Sequence, residues 1–311
     1  TNYYDFTFSR IRDNLFKVFG TKSYFALLAK SKEWGGFQPR MFLYLFDHTI
    51  MPILNYSSEV WGLNEWSKLE TIHLSACKYA LGVKSSTTTM AVYSELGRIP
   101  VQCQRHINIL KFFVRLCNLD HERYASKAFN MLIRDADSGC SNWISAARSL
   151  QLLYGVKSSD KIKDIKFKVR KHFESAAMLS LKESILEDKK IKTYALVKSN
   201  FKFETYLDVL SDYSERSYFA KLRLSAHNLQ IEIGRFGKNK TPRLERFCLY
   251  CLSLGKQTVE DEVHFLMSCP LYSTERQKML DIIHKKFPST LLLNPNDMFH
   301  WLMTQENVIF I

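Results

Sequence analysis

Four residues near the end of the chain, Cys248, Cys251, His264 and Cys269, have the types and spacing to hold a metal ion. Together they read C-x2-C-x12-H-x4-C. Two thiols with two residues between them can be aimed at one point by a tight turn. A histidine and a cysteine five positions apart at the end of a short helix return to one side of it. Three sulfurs and one imidazole with no open position form a closed tetrahedral set, which suits structural zinc rather than a catalytic ion. The same residues also admit a chance gathering of buried thiols, or a redox C-x-x-C pair. A redox pair calls for a neighbouring βαβ pattern and leaves the spaced histidine and third cysteine without a use.

Elsewhere the chemistry-bearing residues are scattered. The chain has no phosphate-cradling G-x-x-x-x-G-K-[ST] or G-x-G-x-x-G loop. His73, on an apolar face, and His227, placed on a helix ending at Leu229, read as buried, hydrogen-bonded histidines, because neither has a second ligand at metal spacing. Of the seven cysteines, Cys77, Cys103, Cys117 and Cys140 fall outside the motif. Isolated thiols of this kind suit a reduced, intracellular protein, and nucleus and cytoplasm are the expected compartments. Apolar runs such as Met41–Phe46 are far too short for a membrane span, and no secretory signal opens the chain. The chain begins at Thr1 without an initiator Met and ends in the apolar Asn307–Ile311, so we read it as an excerpt of a longer polypeptide.

Charge is distributed unevenly. The 311 residues carry 44 Lys and Arg against 31 Asp and Glu, a net +13. Residues 157–204 hold 13 basic and 7 acidic side chains, and residues 205–247 hold 8 and 5. From 248 onward the balance turns acidic, 5 against 7. Basic density just before the cysteine motif is what phosphate-backbone binding requires, although a solvated lysine-rich helix face has the same composition. In the stretch 198–223, Phe201, Phe203, Tyr206, Tyr213, Tyr218 and Phe219 alternate with Lys198, Lys202, Arg216, Lys221 and Arg223. This pattern predicts Phe rings in a core with the basic groups outside, some of them able to reach phosphates.

The elements that must position these groups are helical. Periods of three and four run through Phe8–Phe19 and Leu43–Ile50. The spacing predicts helices over Asn64–Leu81 (capped by Asn64 and closed by Gly82), Thr89–Leu96, Val101–Leu119, Ser141–Tyr154 and Asp160–Leu186. Short strands are expected only near Leu229–Ile233 and around the cysteine turn. The fold class is therefore all-α: a multi-helix bundle over 1–156, basic helices over 157–243, and a small Cys3His zinc module with C-terminal helices over 244–311. Linkers are placed at Tyr154–Asp160 and Gly234–Pro242.

Four stretches, in order, resemble the region that follows the polymerase palm in LINE-type (non-LTR) retrotransposon reverse transcriptases. The first runs from Leu45-Phe-Asp47 to Pro52-Ile-Leu54-Asn-Tyr56-Ser-Ser-Glu59-Val-Trp61-Gly62, with Ser57 where the family usually has Gly. The second joins Leu69–Val83 to Tyr93-Ser-Glu95-Leu96-Gly97-Arg98-Ile-Pro100. The third is Leu224–Arg235. The fourth is the cysteine motif with Glu260-Asp261-Glu262-Val-His264-Phe265-Leu266 and Cys269-Pro270. The resemblance implies thumb-like helices followed by a nucleic-acid-binding zinc knuckle, in a polyprotein that copies element RNA at a nicked genomic target. The implied partners are RNA or DNA and the palm of the parent polyprotein, with no membrane and no small-molecule substrate.

Polymerase chemistry needs carboxylates holding two divalent ions. The family supplies them from an Asp-Asp motif, and this chain has no Asp-Asp dipeptide. Arg134-Asp135-Ala-Asp137 is the nearest pair and sits between helices among small residues. The chain alone is thus expected to catalyse nothing. Expected nucleic-acid contacts are Arg223, Arg235, Lys238, Lys240, Arg243, Arg246, Tyr250 and Lys256, with single-stranded or structured RNA preferred to duplex DNA. The alternative is a zinc-stabilised protein-protein interaction module of a domesticated or decayed element.

Overall fold

A computed structural model describes residues 19–64, 66–186, 190–236 and 240–304; Lys238 and most of the helix expected over Phe8–Phe19 lie outside them. The described residues are helical with no strand, and their only bridges are the isolated pairs Leu96–Phe203 and Phe247–Val259. No helix among them is long and apolar enough to cross a membrane.

The chain forms two compact units rather than three. One runs to Phe37 and resumes over Met41–Ala76 and Arg98–Ala177; the other takes Gln38–Arg40, Cys77–Gly97 and the chain from Met178 on. The first unit is organised on the helix Val101–Cys117, which is apolar on two sides. Cys103, Ile107 and Leu110 pack with Val156, Ile165 and Val169. Ile109 and Phe113 pack with Phe129, Ile144 and Ala147, from the helices Tyr124–Asp137 and Trp143–Tyr154. This packing overrides the boundary expected at 156, because the start of the basic Ile162–Leu186 helix helps build the same core.

A polar cluster joins the first two motif stretches within this unit. The Arg98 guanidinium grips the Asp47 carboxylate with both terminal nitrogens and donates from Nε to His73 Nε2 at 3.1 Å. His73 Nδ1 meets Glu70 Oε1 at 3.4 Å, and Glu70 Oε2 accepts from the Val101 amide at 3.0 Å, capping the hub helix. His73 is buried and hydrogen-bonded, as its apolar setting implied. The helix that carries it is Ser67–Leu81, starting later than Asn64, whose carbonyl instead faces Arg105. Gly82 closes it in the left-handed region, φ 66°.

The second unit holds a buried ionic quartet. Glu95 Oε1 lies 2.7 Å from Arg223 Nε and Glu204 Oε2 lies 3.2 Å from Arg223 Nη2. Lys198 pairs with Glu204 and lies 3.9 Å from Glu95. Two cations facing two carboxylates make burial tolerable. Arg223 also donates to the Met303 carbonyl, tying in the helix Pro295–Thr304. Close approach of residues 202–204 to 95–97 depends on Gly97. It has φ +58°, and a Cβ there would lie 2.7 Å from the Phe203 backbone nitrogen.

Candidate metal centre

The sequence builds the centre in two pieces. Phe247 and Val259 bridge across a narrow loop, and the Cys248 amide donates to the Thr258 carbonyl at 2.8 Å. Cys248 then precedes the short helix Leu249–Ser253, so that Cys251 lies one turn on and faces the same way. The second piece is a wide turn over His264–Ser268, in which the Cys269 amide reaches back five residues to the His264 carbonyl at 2.7 Å. On the short α-helix expected there, side chains five apart would point away from each other; it is the π-type widening of this turn that brings His264 and Cys269 to one side.

All four side chains are buried, and their ligand atoms lie within 4.8 Å of one another. Cys248 Sγ is 3.9 Å from Cys269 Sγ, and Cys251 Sγ is 3.4 Å from His264 Nε2. Tetrahedral zinc with ordinary bond lengths has S···S and S···N edges of about 3.8 and 3.6 Å. The donor set therefore fits a four-coordinate ion with Nε2 as the imidazole ligand. Burial raises the Cys248 thiol, and burial with neighbouring thiols pushes Cys251 up to about 11. Burial also lowers His264, keeping its ring neutral with a lone pair to donate. Three sulfurs and an imidazole nitrogen converging on one buried point leave lone pairs that a cation would take up. A redox reading is weaker, since no βαβ unit adjoins the pair among the described residues.

The acidic run before His264 places the centre. Glu260 caps the one-turn helix Gln230–Ile233: its carboxylate accepts from the Gln230 amide at 2.7 Å and its carbonyl from Ile231 at 3.1 Å. This capping is why Leu229–Ile233, expected as a strand, turns instead. Asp261 accepts from the His264 amide at 2.8 Å. Glu262 is 3 % exposed, and its carboxylate accepts from Ser225 Oγ and His227 Nε2, each at 3.0 Å, and from Thr193 Oγ1 at 3.1 Å. His227 Nδ1 accepts from the Leu229 amide, so both of its ring nitrogens are used; it sits in a loop rather than on a helix. Thus the third and fourth motif stretches interlock, and the boundary expected at 243 falls inside one unit. Nothing in the spacing pointed to Glu262; its place two residues before a ligand histidine was the available signal.

Several expected contact residues are structural. Arg223 is 3 % exposed inside the quartet and cannot reach a nucleic acid, correcting its assignment. Lys198 and Arg216 are likewise buried, so basic groups expected outside the aromatic core are partly within it. Arg246 donates to the carbonyls of Thr241 and Ile231 at 3.0 and 2.8 Å, and its stem lies over Gly234, where a Cβ would meet it at 2.8 Å. Arg235 is half-buried and paired with Glu232 at 2.9 Å, and Arg243 is half-buried. Lys240, Tyr250 and Lys256 are exposed.

Exposed basic charge collects instead on the first turns of the Ile162–Leu186 helix, where Lys163, Lys166, Arg170 and Lys171 are exposed, as is Lys161 just before it. Phe167, 63 % exposed, stands among them with the Lys171 ammonium 5.7 Å from its ring centre. No protein-family model, curated protein or solved structure matches the chain.

Proposed function

We propose that this chain is a nucleic-acid-binding region of the non-LTR reverse-transcriptase type, with thumb-like helices and a structural zinc ion held by Cys248, Cys251, His264 and Cys269. In that role it grips template RNA or target DNA while a palm domain outside this chain performs polymerisation. The observation that carries the reading is the exposed face of the Ile162–Leu186 helix. Its exposed lysines Lys163, Lys166 and Lys171 can follow a phosphate backbone, Arg170 being paired with Glu174 at 2.6 Å, and Phe167 offers a ring on which a base can stack. Convergence of the four family-like stretches into two internal networks also supports it, because each stretch then has a structural use. Arg223 and Arg246 drop out of the contact surface, and of the expected contacts Lys240, Tyr250 and Lys256 are exposed.

The test is binding of the zinc-loaded chain to single-stranded RNA across a salt series. Replacing Lys163, Lys166 and Lys171 with Ala should weaken binding and reduce the slope of log K against log salt by about 2, at roughly 0.7 per contact. An unchanged slope would move the reading to the alternative, a zinc-stabilised surface for a protein partner.

A further inference from the structure

Beside the metal centre, the helix Tyr213–Arg223 and the loop 224–229 enclose a cavity of about 510 Å3 that Phe265 closes from the zinc module. Its size falls within the roughly 300–1,000 Å3 of small-ligand sites. Leu210, Phe219 and Leu229 supply apolar walls, and polar groups sit at the rim. Tyr218 is 71 % exposed, with the Lys221 ammonium 5.3 Å from its ring centre. Asn228 is oriented by Lys84, whose ammonium donates to Oδ1, which leaves the Nδ2 hydrogens as donors. Glu215, exposed, adds an acceptor to the lining.

We infer that this cavity takes a single unstacked nucleobase of an RNA strand, with the adjoining phosphate held by Lys84 and Lys221; this rests on the RNA-binding reading above. Aromatic and apolar walls suit either face of a base. An amide donor and a carboxylate acceptor on the same lining suit its edge, which carries both kinds of partner. Two ammonium groups at the mouth suit an anion and repel a cationic peptide. The loop that forms one wall contains Ser225 in the left-handed region, φ 49°, a conformation held by its hydroxyl on Glu262. The cavity therefore depends on the same acidic residue that seats the zinc module.

Equilibrium binding of the full chain is measured for three probes: a single-stranded oligoribonucleotide, the same strand made abasic throughout, and AMP with UMP as free nucleotides. Tyr218→Ala and Asn228→Ala are each expected to weaken binding of the base-bearing strand about tenfold, within the roughly 1–3 kcal/mol of a base stack. They should leave the salt slope as in the parent, because the lost contact is not ionic. Lys221→Ala should lower that slope by about 0.7. The abasic strand should bind parent and Tyr218→Ala equally. Both side chains are exposed, so zinc content and circular dichroism should match the parent and exclude misfolding. If RNA binds but both variants stay within twofold of the parent, the pocket inference fails alone. If AMP or UMP binds in a Tyr218-dependent way while RNA does not, the RNA reading fails and the cavity is a free-nucleotide site. Binding of neither overturns both.

Discussion

Glu95→Gln tests the buried quartet at its least exposed member. The substitution keeps shape and removes one negative charge, leaving Arg223 and Lys198 to share Glu204. At an effective dielectric of about 20, unit charges at the observed 2.7 and 3.9 Å attract by about 6 and 4 kcal/mol. Desolvation takes back much of this, and breaking one side of a buried pair costs about 3–5 kcal/mol. Glu204 still compensates one cation, so we expect the low end, about 3 kcal/mol. With a urea m-value of about 2 kcal/mol/M, the midpoint should fall by about 1.5 M. Burial tends to raise the Glu95 carboxyl, but Arg223 and Lys198 outweigh it and hold it below the usual carboxylate range. A depressed acid contributes stability that is complete above its unfolded pKa and is lost as pH falls through its folded value. The variant should accordingly lose the parent's excess stability at neutral pH and approach the parent in strong acid. Urea unfolding followed by circular dichroism reads both quantities, with the exposed Lys202→Gln as control. A midpoint no lower than that control's would refute the reasoning.

His106 sits between Gln102 Nε2 and the Tyr154 hydroxyl, each at 2.7 Å, and burial, aided by Arg105, lowers it to about 4. A histidine that takes up its proton more readily when unfolded makes stability rise with pH from about 4 to 6.5, so His106→Gln should flatten that part of the urea-midpoint profile; an unchanged profile would contradict it. Glu262→Gln replaces an acceptor serving three hydroxyl and imidazole donors by an amide with one oxygen, at a cost of about 1–3 kcal/mol. Limited proteolysis should then cut near 224–229 while zinc content holds; equal resistance would mean that Glu262 does not pin the loop. Supplied with primer-template, nucleotides and magnesium, the chain should extend nothing above background, and extension that follows the purified protein would show a carboxylate site that the sequence reading missed.

The helices were legible because their apolar periods and stop signals are local. Gly82 and Gly155 closed helices where expected, and Asn142 forms the capping box that starts Trp143–Tyr154. The gathering of Cys248, Cys251, His264 and Cys269 was legible because metal-donor chemistry fixes both residue type and spacing. What remained hidden was non-local. Val156, Ile165 and Val169 join the Cys103–Leu110 face across some fifty residues, so a basic, linker-like stretch became core. Arg223 and Lys198 look solvated in a list of charges, and Glu95, 128 residues from Arg223 in sequence, reveals them as buried partners. The strand expected at Leu229–Ile233 yielded to capping by Glu260, a tertiary contact with no local signature.

Metal content of the purified chain tests the central claim most directly. Elemental analysis should find about one zinc per chain, with three thiols protected from alkylation until a chelator is added. Cys251→Ser should release the ion and loosen the region from Arg246 to Arg276, while the Val101–Cys117 core, in the other unit, persists. A parent chain that carries no zinc after purification in its presence, or a Cys251→Ser chain that retains a full equivalent, would contradict the assignment of the centre.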